Sequence, residues 1–442
     1  MKTICKKQAL TALLVSTMPA AAMAAGTEDW WKPFSEISSG DTAWVMTSAV
    51  LVLFMTVPGL ALFYGGMVRK KNILSTMMHS FSIAALVSVL WVIAGYSLAF
   101  TPGNAFIGSL DRLFLSGMSM DMHKEMVTVA PNAGSIPETV FMFFQMTFAI
   151  ISTAIITGSF AERMKYSAMM LFSGLWVLLV YVPSAHWVWG GGFMGEGGVF
   201  DYAGGTVVHI NAGIAGLVTA VVLGKRVGYG KEAMPPHNMA LTLTGAAMLW
   251  VGWFGFNAGS AVAANASAGM AMAVTQIAAA AAALTWLLCE KVAGHRPSAL
   301  GLASGAVSGL VGITPAAGFV DPQGALAIGV LTAIACYFSS VILKRKLNYD
   351  DSLDAFGIHG FGGLVGAVLT GIFFSNQIFG GDATVGSQLF IQLKDALTTV
   401  VYSGAVSFII LKVVDIVCGG LRVEKDIERE GLDLNIHGER VE

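Results

Sequence analysis

Charged residues are scarce in this sequence. Asp, Glu, Lys and Arg make up only 12% of its 442 residues, whereas hydrophobic residues make up 55%. Soluble globular proteins carry about 25% charged residues, so this balance predicts a membrane protein. The formal net charge of -2 provides no basic face, and nucleic acid is therefore not an expected partner.

Cysteine is also scarce, and the sequence lacks the common motifs of enzymes. The four cysteines, Cys5, Cys289, Cys336 and Cys418, form no Cys-x-x-Cys pair, so we expect neither a disulfide framework nor a zinc site. A GxxxxGK[ST] loop and a G-x-S-x-G elbow are both missing. An enzyme is therefore the least expected class, and no cofactor is implied.

The first residues have the pattern of a secretory signal peptide. Three lysines precede an apolar run over residues 9–22, and Ala22-Met23-Ala24 offers a small-residue cleavage site. The alternative is an uncleaved first span, but the run is short for crossing a bilayer. We predict a signal peptide over residues 1–24, a membrane domain over 25–420 and a cytoplasmic tail over 421–442.

Apolar windows of about 20 residues recur along the rest of the chain, each long enough to cross a hydrocarbon core about 30 Å thick. No separate soluble domain is left over. The sequence therefore predicts an all-α polytopic membrane protein with eleven transmembrane helices. These lie at residues 43–67, 74–100, 137–160, 166–188, 203–224, 239–261, 266–289, 298–316, 323–343, 354–375 and 393–418.

Basic residues mark alternate loops between these windows. They are Arg69, Lys70 and Lys71; Arg163 and Lys165; Lys225, Arg226 and Lys231; Lys291 and Arg296; and Lys344, Arg345 and Lys346. Because Lys and Arg are retained on the cytoplasmic side, these loops are predicted to be cytoplasmic. The N-terminus is then outside and the C-terminus inside, which agrees with a signal peptide and with a multi-pass protein of the cell inner membrane.

The fifth and tenth windows share one pattern. Asp201 precedes His209 by eight residues, Asp351 precedes His359 by eight, and two glycines follow each histidine. Because these windows run in opposite directions, the pattern indicates an inverted repeat of five plus five spans, with its site at the midplane and the last helix outside the repeat. Eight helical residues rise about 12 Å, which places each histidine near the bilayer centre.

Two such histidines favour a function. Ionisable side chains in a bilayer are costly, although one isolated histidine would as readily be a core imidazole bonded to a backbone carbonyl. Burial disfavours the charged form, so we expect two neutral rings that share a hydrogen bond and turn their outer nitrogens to a passing molecule. The pair could bind a small neutral polar molecule or relay a proton. A metal site is disfavoured because these spans offer no further ligand.

Several segments resemble the ammonium transporter family (Amt/Mep/Rh), and within it bacterial AmtB-type proteins. They are FFQMTFA at 143–149, AERMKYSA, AHWVWGGG, DYAGGTVVHINAGIAGLV, GWFGFNAGSA at 252–261 and DAFGIHG. The resemblance extends over nearly all of the mature chain. It implies transport of ammonium or ammonia, a homotrimer with one pore per subunit, and a PII-type regulatory protein (GlnK) docking on the cytoplasmic tail.

The resemblance also implies roles for individual residues. An outer vestibule would recruit ammonium with Phe144, Phe148, Trp189 and Ser260. A gate of two stacked rings would consist of Phe148 and Phe256, with Trp253, His209 and His359 lining the pore below. The residue types suit these roles, because an indole face attracts a cation and a hydroxyl accepts a hydrogen bond from a donor-only ion. Taken alone, Trp189 would more often be an interfacial anchor.

The expected mechanism moves ammonia and not the ion. Ammonium would lose its proton near Ser260 and Trp189, ammonia would pass the two histidines, and it would be protonated again inside. A relay of the proton through the histidine pair is a further hypothesis. Asp201 and its inner counterpart Asp351 are expected to cap helices, with Asp201 as proton acceptor the alternative. Two rival functions remain. One is an ammonium sensor or receptor, and the other is a secondary transporter of another small cation or amine.

Overall fold

The computed structural model describes residues 30–441. The predicted signal peptide at residues 1–24 lies outside the described residues. Ten helices in the described part are long and apolar enough to cross a membrane. They are α1 (Ser39–Met67), α2 (Lys70–Phe100), α3 (Glu138–Phe160), α4 (Tyr166–Glu196), α5 (Gly205–Leu223), α6 (Met239–Gly259), α7 (Ala266–Val292), α9 (Pro322–Leu347), α10 (Ala355–Phe373) and α11 (Val385–Val417).

The predicted eighth span is a shorter helix, α8 (Ala299–Ile313), of 15 residues. At 1.5 Å per residue it rises about 22 Å, less than the hydrocarbon thickness of about 30 Å. It is apolar, and the side chain of Ser298 caps its start by accepting from the N–H of Gly301. The molecule is thus mostly helical, with ten long apolar helices and one short one, and the count of eleven spans stays a prediction.

Helix α11 begins earlier than predicted, at Val385 and not at residue 393. Its first turns carry polar side chains that lower the local hydropathy, and two of them are satisfied inside the protein. The amide of Gln392 donates to the backbone oxygens of Phe200 and Ala367, at 2.9 and 3.1 Å, and Gln388 donates to that of Gly198. Such tertiary partners are invisible to a hydropathy window.

A small antiparallel sheet interrupts the all-helical pattern on the predicted outer side. Strands β1 (Trp31–Pro33), β2 (Met120–Asp121) and β3 (Met126–Thr128) are ordered β1-β3-β2. The prediction of an all-α chain is wrong in this detail, because strands of two or three residues leave no periodic pattern in the sequence.

The long segment 101–135, on the predicted outer side, is fixed to the helices by buried contacts. The guanidinium of Arg112 donates to both carboxylate oxygens of Glu138, at 2.9 and 3.2 Å, and lies 4.1 Å from the ring centroid of Trp30. The amide of Asn132 donates to the backbone oxygen of Trp189 at 3.0 Å. This segment therefore holds the starts and ends of the helices that carry the predicted vestibule.

Helices α5 and α10 cross at the centre of the protein, and both begin with a wide, π-type turn, at Gly205–Ile210 and Ala355–Gly360. The crossing is close because Gly213 packs against the backbone of Gly360, where an added Cβ would collide. Small residues allow such contacts between membrane helices. The two predicted histidines lie in these two turns.

Four of the predicted cytoplasmic loops meet on one face through a buried cluster of charges. The carboxylate of Glu162 accepts from Arg69 and Arg226, and Arg226 also donates to Asp350 at 2.8 and 2.9 Å. Burial opposes ionisation of Glu162, yet the positive charge of Arg226 and the hydrogen bonds of Arg69 hold its pKa below the usual range. The cluster ties these loops into one layer.

The tail packs on this layer and is not a free solvated chain. Its short helix α12 (Lys425–Glu430) carries the buried Glu428, which accepts from the N–H of Val227 at 2.6 Å and from Arg422. Further on, Asp433 accepts from the N–H groups of Leu74 and Ser75 in the first turns of α2, at 3.1 and 2.8 Å. The tail thus caps a membrane helix.

We expect Glu162→Gln to reduce the free energy of unfolding by about 3–5 kcal/mol, because it removes one partner of a buried ion cluster. The folded-state pKa of Glu162 is lowered, so its stabilisation is present above its usual pKa and is lost as the pH falls through the folded value. The wild type should therefore lose thermal stability more steeply than the variant once the pH falls below about 4.3, the usual pKa of a glutamate. Equal slopes in detergent would contradict this.

Candidate functional site

The structure brings His209 and His359 into contact. Their Nδ1 atoms are 3.2 Å apart and their ring centroids 5.2 Å apart, with an interplanar angle of 26°. Both side chains are buried, at 1% and 5% exposure. An imidazole nitrogen donates only when it carries a proton, so a neutral pair shares this bond with one ring as donor and the other as acceptor. The Nε2 atom of His209 is buried and has no hydrogen-bond partner among residues 30–441.

A buried carboxylate precedes each wide turn and accepts its free N–H groups. The Asp201 carboxylate accepts from Gly204, Gly205, Thr206 and Val207, at 2.9, 2.6, 2.9 and 3.1 Å. The Asp351 carboxylate accepts from Ala355, Phe356 and Gly357, at 3.1, 2.8 and 3.4 Å. Each carboxylate lies at the positive end of its helix dipole. These contacts fix where the two histidine turns begin.

Aromatic rings form a column that leads to His209. The rings of Phe148 and Phe256 are stacked, with centroids 4.3 Å apart at 26°, and the Phe256 ring lies 5.8 Å from that of His209 at 27°. The indole of Trp253 also stacks on His209, with ring centroids 5.4 Å apart and an interplanar angle of 22°. Close ring packing of this kind leaves no passage for a hydrated ion.

The end of the column away from His209 mixes aromatic faces with one hydroxyl, and Trp189 and Ser260 there are partly exposed. Phe148 makes edge contacts with Phe144 and Trp189, at centroid distances of 4.9 and 6.0 Å. The indole N–H of Trp189 donates to the backbone oxygen of Asp201 at 2.9 Å. The Ser260 hydroxyl donates to the Phe256 oxygen at 2.8 Å, so its lone pairs remain available as acceptors.

A narrow cavity lies below the column. It leaves about 10 Å³ for the centre of a water-sized molecule, about the least that holds one water. Apart from the two histidines, its walls are hydrophobic. The lining residues are Met55, Leu60, Ile151, Ile155, His209, Leu249, Trp253, Phe256 and His359. The aliphatic residues were not singled out from sequence, because an apolar residue in an apolar helix carries no distinguishing signal.

Comparison with known proteins identifies the family. The model of the Ammonium Transporter Family matches residues 43–442. The chain belongs to the ammonium transporter family. The resemblance stated from the sequence motifs is thereby confirmed, and the histidine turns, the ring column and the cavity all lie within the matched residues.

Relatives within this family are similar over almost their whole length. An ammonium transporter of Bacillus subtilis is 48% identical over 409 residues, which cover 91% of this chain and 98% of that protein. The crystal structure of Candida albicans Mep2 has a TM-score of 0.81 at 35% identity, covering 89% of this chain and 88% of that one. A structure titled Sensor Amt Protein has a TM-score of 0.82 at 27% identity, covering 90% and 98%.

Proposed function

We propose that this protein is a transporter that conducts ammonia, formed from ammonium at the outer vestibule, through the cavity between Phe256 and the histidine pair. One observation carries the proposal: the unpartnered Nε2 atom of His209 lies in an apolar cavity with space for about one water-sized molecule. Ammonia is a neutral molecule of that size and can form hydrogen bonds with such an atom.

The energetics favour the neutral species. An ion that enters the cavity would lose its water and find no opposite charge, which is costly in low-dielectric surroundings. Neutral ammonia needs only a hydrogen-bond partner, which the imidazoles provide. Potassium has no proton to lose, so it could enter this cavity only as an ion. We therefore infer that deprotonation precedes passage.

The vestibule suits recruitment of ammonium before that step. Trp189 and Ser260 are partly exposed, and Phe144 and Phe148 form the wall beside Trp189. Aromatic faces attract a cation that is partly desolvated, and the free lone pairs of Ser260 accept hydrogen bonds from it. The stacked pair of Phe148 and Phe256 then acts as the gate.

We infer that the proton released from ammonium crosses through the histidine pair. The 3.2 Å contact between the two Nδ1 atoms lets a proton arriving at one ring be relayed by the other. Transport is then electrogenic, and zero current during ammonium uptake would reject this route.

The chain is proposed to cross the inner membrane eleven times, with α8 as the eighth span and with the N-terminus outside and the C-terminus inside. The arrangement is supported by the charge cluster, because loops at Arg69, Glu162, Arg226 and Asp350 meet on one face. Helices α1 to α5 and α6 to α10 would form the inverted repeat.

A homotrimer is proposed for the assembly. An apolar groove of about 930 Å³ lies between the first turns of α1 and the outer sheet, lined by residues such as Phe34, Met46, Met120 and Val127. A neighbouring subunit would cover this apolar surface. The mass of the detergent-solubilised protein should correspond to three copies, and a monomer mass would contradict the proposal.

A PII-type protein such as GlnK is the proposed partner at the cytoplasmic face. The packed tail supports a docking platform, since it joins α12 to the loop of Arg226 and to α2. Deleting residues 421–442 should abolish binding of the PII-type protein in a pull-down with purified components. Retained binding would place the docking surface elsewhere.

An ammonium sensor is the second candidate, because one structural neighbour is titled Sensor Amt Protein. Uptake separates the two functions. Proteoliposomes that contain the purified protein should accumulate labelled methylammonium faster than protein-free vesicles, with saturation. Binding of ammonium without uptake would favour the sensor and contradict the transporter.

A further inference from the structure

Thr314 directly follows α8, and both hydrogen-bonding functions of its buried hydroxyl are occupied. The hydroxyl donates to the backbone oxygen of Leu310 at 2.7 Å and accepts from the indole N–H of Trp253 at 2.9 Å. Because the side chain is fully buried, no water competes for these bonds. The hydrogen bond to Thr314 therefore fixes the orientation of the Trp253 ring.

The indole that Thr314 holds is the one stacked on His209, with ring centroids 5.4 Å apart. An indole nitrogen only donates, so a ring turned towards the cavity would place a donor in its wall. A buried donor without an acceptor is costly and turns towards any acceptor within reach. The Nε2 atom of His209, in the same cavity, has no partner within the described part of the chain.

The turn that contains Thr314 is itself fixed against the start of α5. The backbone oxygen of Pro315 accepts from the N–H of Tyr202 at 3.1 Å. Gly205 packs on the Pro315 ring, where an added Cβ would lie 2.6 Å from its atoms. Since α5 carries His209, the hydroxyl of Thr314 keeps a constant position relative to that imidazole.

We propose that Thr314 is a positioning residue of the pore: it keeps the N–H of Trp253 out of the cavity and thereby reserves the Nε2 atom of His209 for the passing molecule. The wall beside His209 then presents an aromatic face only. The inference rests on the proposed function and adds a residue from α8 to it. Thr314 is not among the residues that line the cavity, so it acts through Trp253.

Three variants test the proposal. Thr314→Val keeps the shape and removes the acceptor, whereas Thr314→Ser keeps the hydroxyl. Thr275→Val is the matched control, because Thr275 is equally buried and makes the same pair of bonds. It accepts from the side chain of Asn257 at 3.0 Å and donates to the Ala271 oxygen at 2.6 Å, whereas the indole N–H of Trp253 donates to Thr314.

Uptake of labelled methylammonium by proteoliposomes is the measurement. We expect Thr314→Val to lower the maximal rate about tenfold with little change in half-saturation, because the outer vestibule is intact while the barrier in the pore rises. Thr314→Ser and Thr275→Val should stay within about twofold of the wild type. A wild-type rate for Thr314→Val, or an equal loss for Thr275→Val, would overturn the inference.

A double-mutant cycle with Trp253→Leu separates positioning from general damage. Without the indole there is no N–H to restrain, so adding Thr314→Val should cause no further loss of rate, whereas a purely structural effect would add to it. Additive losses would overturn the inference. A wild-type protein without uptake would overturn the proposed function and this inference with it. If the wild type transports and Thr314→Val transports at the same rate, the inference alone is overturned.

Discussion

Replacing both His209 and His359 with alanine is expected to lower the uptake of labelled methylammonium about 100-fold, because ammonia and its analogue would then cross an apolar cavity without a hydrogen-bond partner. The two imidazoles are the polar groups among the residues that line this cavity. The rate should be measured in proteoliposomes of equal protein content, so that expression does not enter the comparison.

A matched control replaces two histidines outside the pore, His123 and His295, which are exposed on the surface. This variant should transport at the wild-type rate. If the pore variant also transported at that rate, the histidine pair would have no part in conduction. A loss in both variants would indicate damage to the fold and not to the path.

Asp201→Ala is expected to destabilise the protein by at least about 4 kcal/mol, because four buried N–H groups would each lose an acceptor. That is a large part of the stability of a typical protein. The loss should appear as a lower thermal unfolding temperature in detergent. The distances of 2.6 to 3.1 Å to these four groups are the basis for this expectation.

Asp201→Asn separates capping from proton transfer. The amide keeps one acceptor oxygen, so part of the cap remains, but it cannot take a proton from ammonium. If capping is the main role, this variant should be more stable than Asp201→Ala and should still transport. A well-folded Asp201→Asn protein without uptake would instead favour Asp201 as the proton acceptor.

Features that recur in the sequence could be predicted. The spacing of eight residues between an aspartate and a histidine appears twice, and the structure places both pairs alike, with the histidines in contact. The membrane class followed from composition, and the family followed from motifs in several helices. These signals are strong because each depends on a periodic or repeated pattern and not on one residue.

Features that depend on single tertiary contacts could not be predicted. The strands of the outer sheet are too short for a pattern, and Gln388 and Gln392 hide the first turns of α11 from a hydropathy window. Thr314 is one threonine among many. Its importance follows only from the 2.9 Å contact with Trp253, which joins residues far apart in the chain.

The tail illustrates the same limit. Its run of charges is typical of a solvated segment, yet Glu428 and Asp433 are buried against the N–H groups of Val227, Leu74 and Ser75. Those donor groups come together only when the loops have assembled. The sequence shows the charged residues of the tail, but it does not show the N–H donors that offset the free-energy cost of burying them.

An electron cryomicroscopy structure of the protein with and without ammonium tests the central claim most directly. We predict additional density within hydrogen-bonding distance of the Nε2 atom of His209 when ammonium is present, and its loss when both imidazoles are replaced. Two histidines pointing to separate, lipid-facing surfaces, or a cavity that stays unchanged at saturating ammonium, would contradict the account.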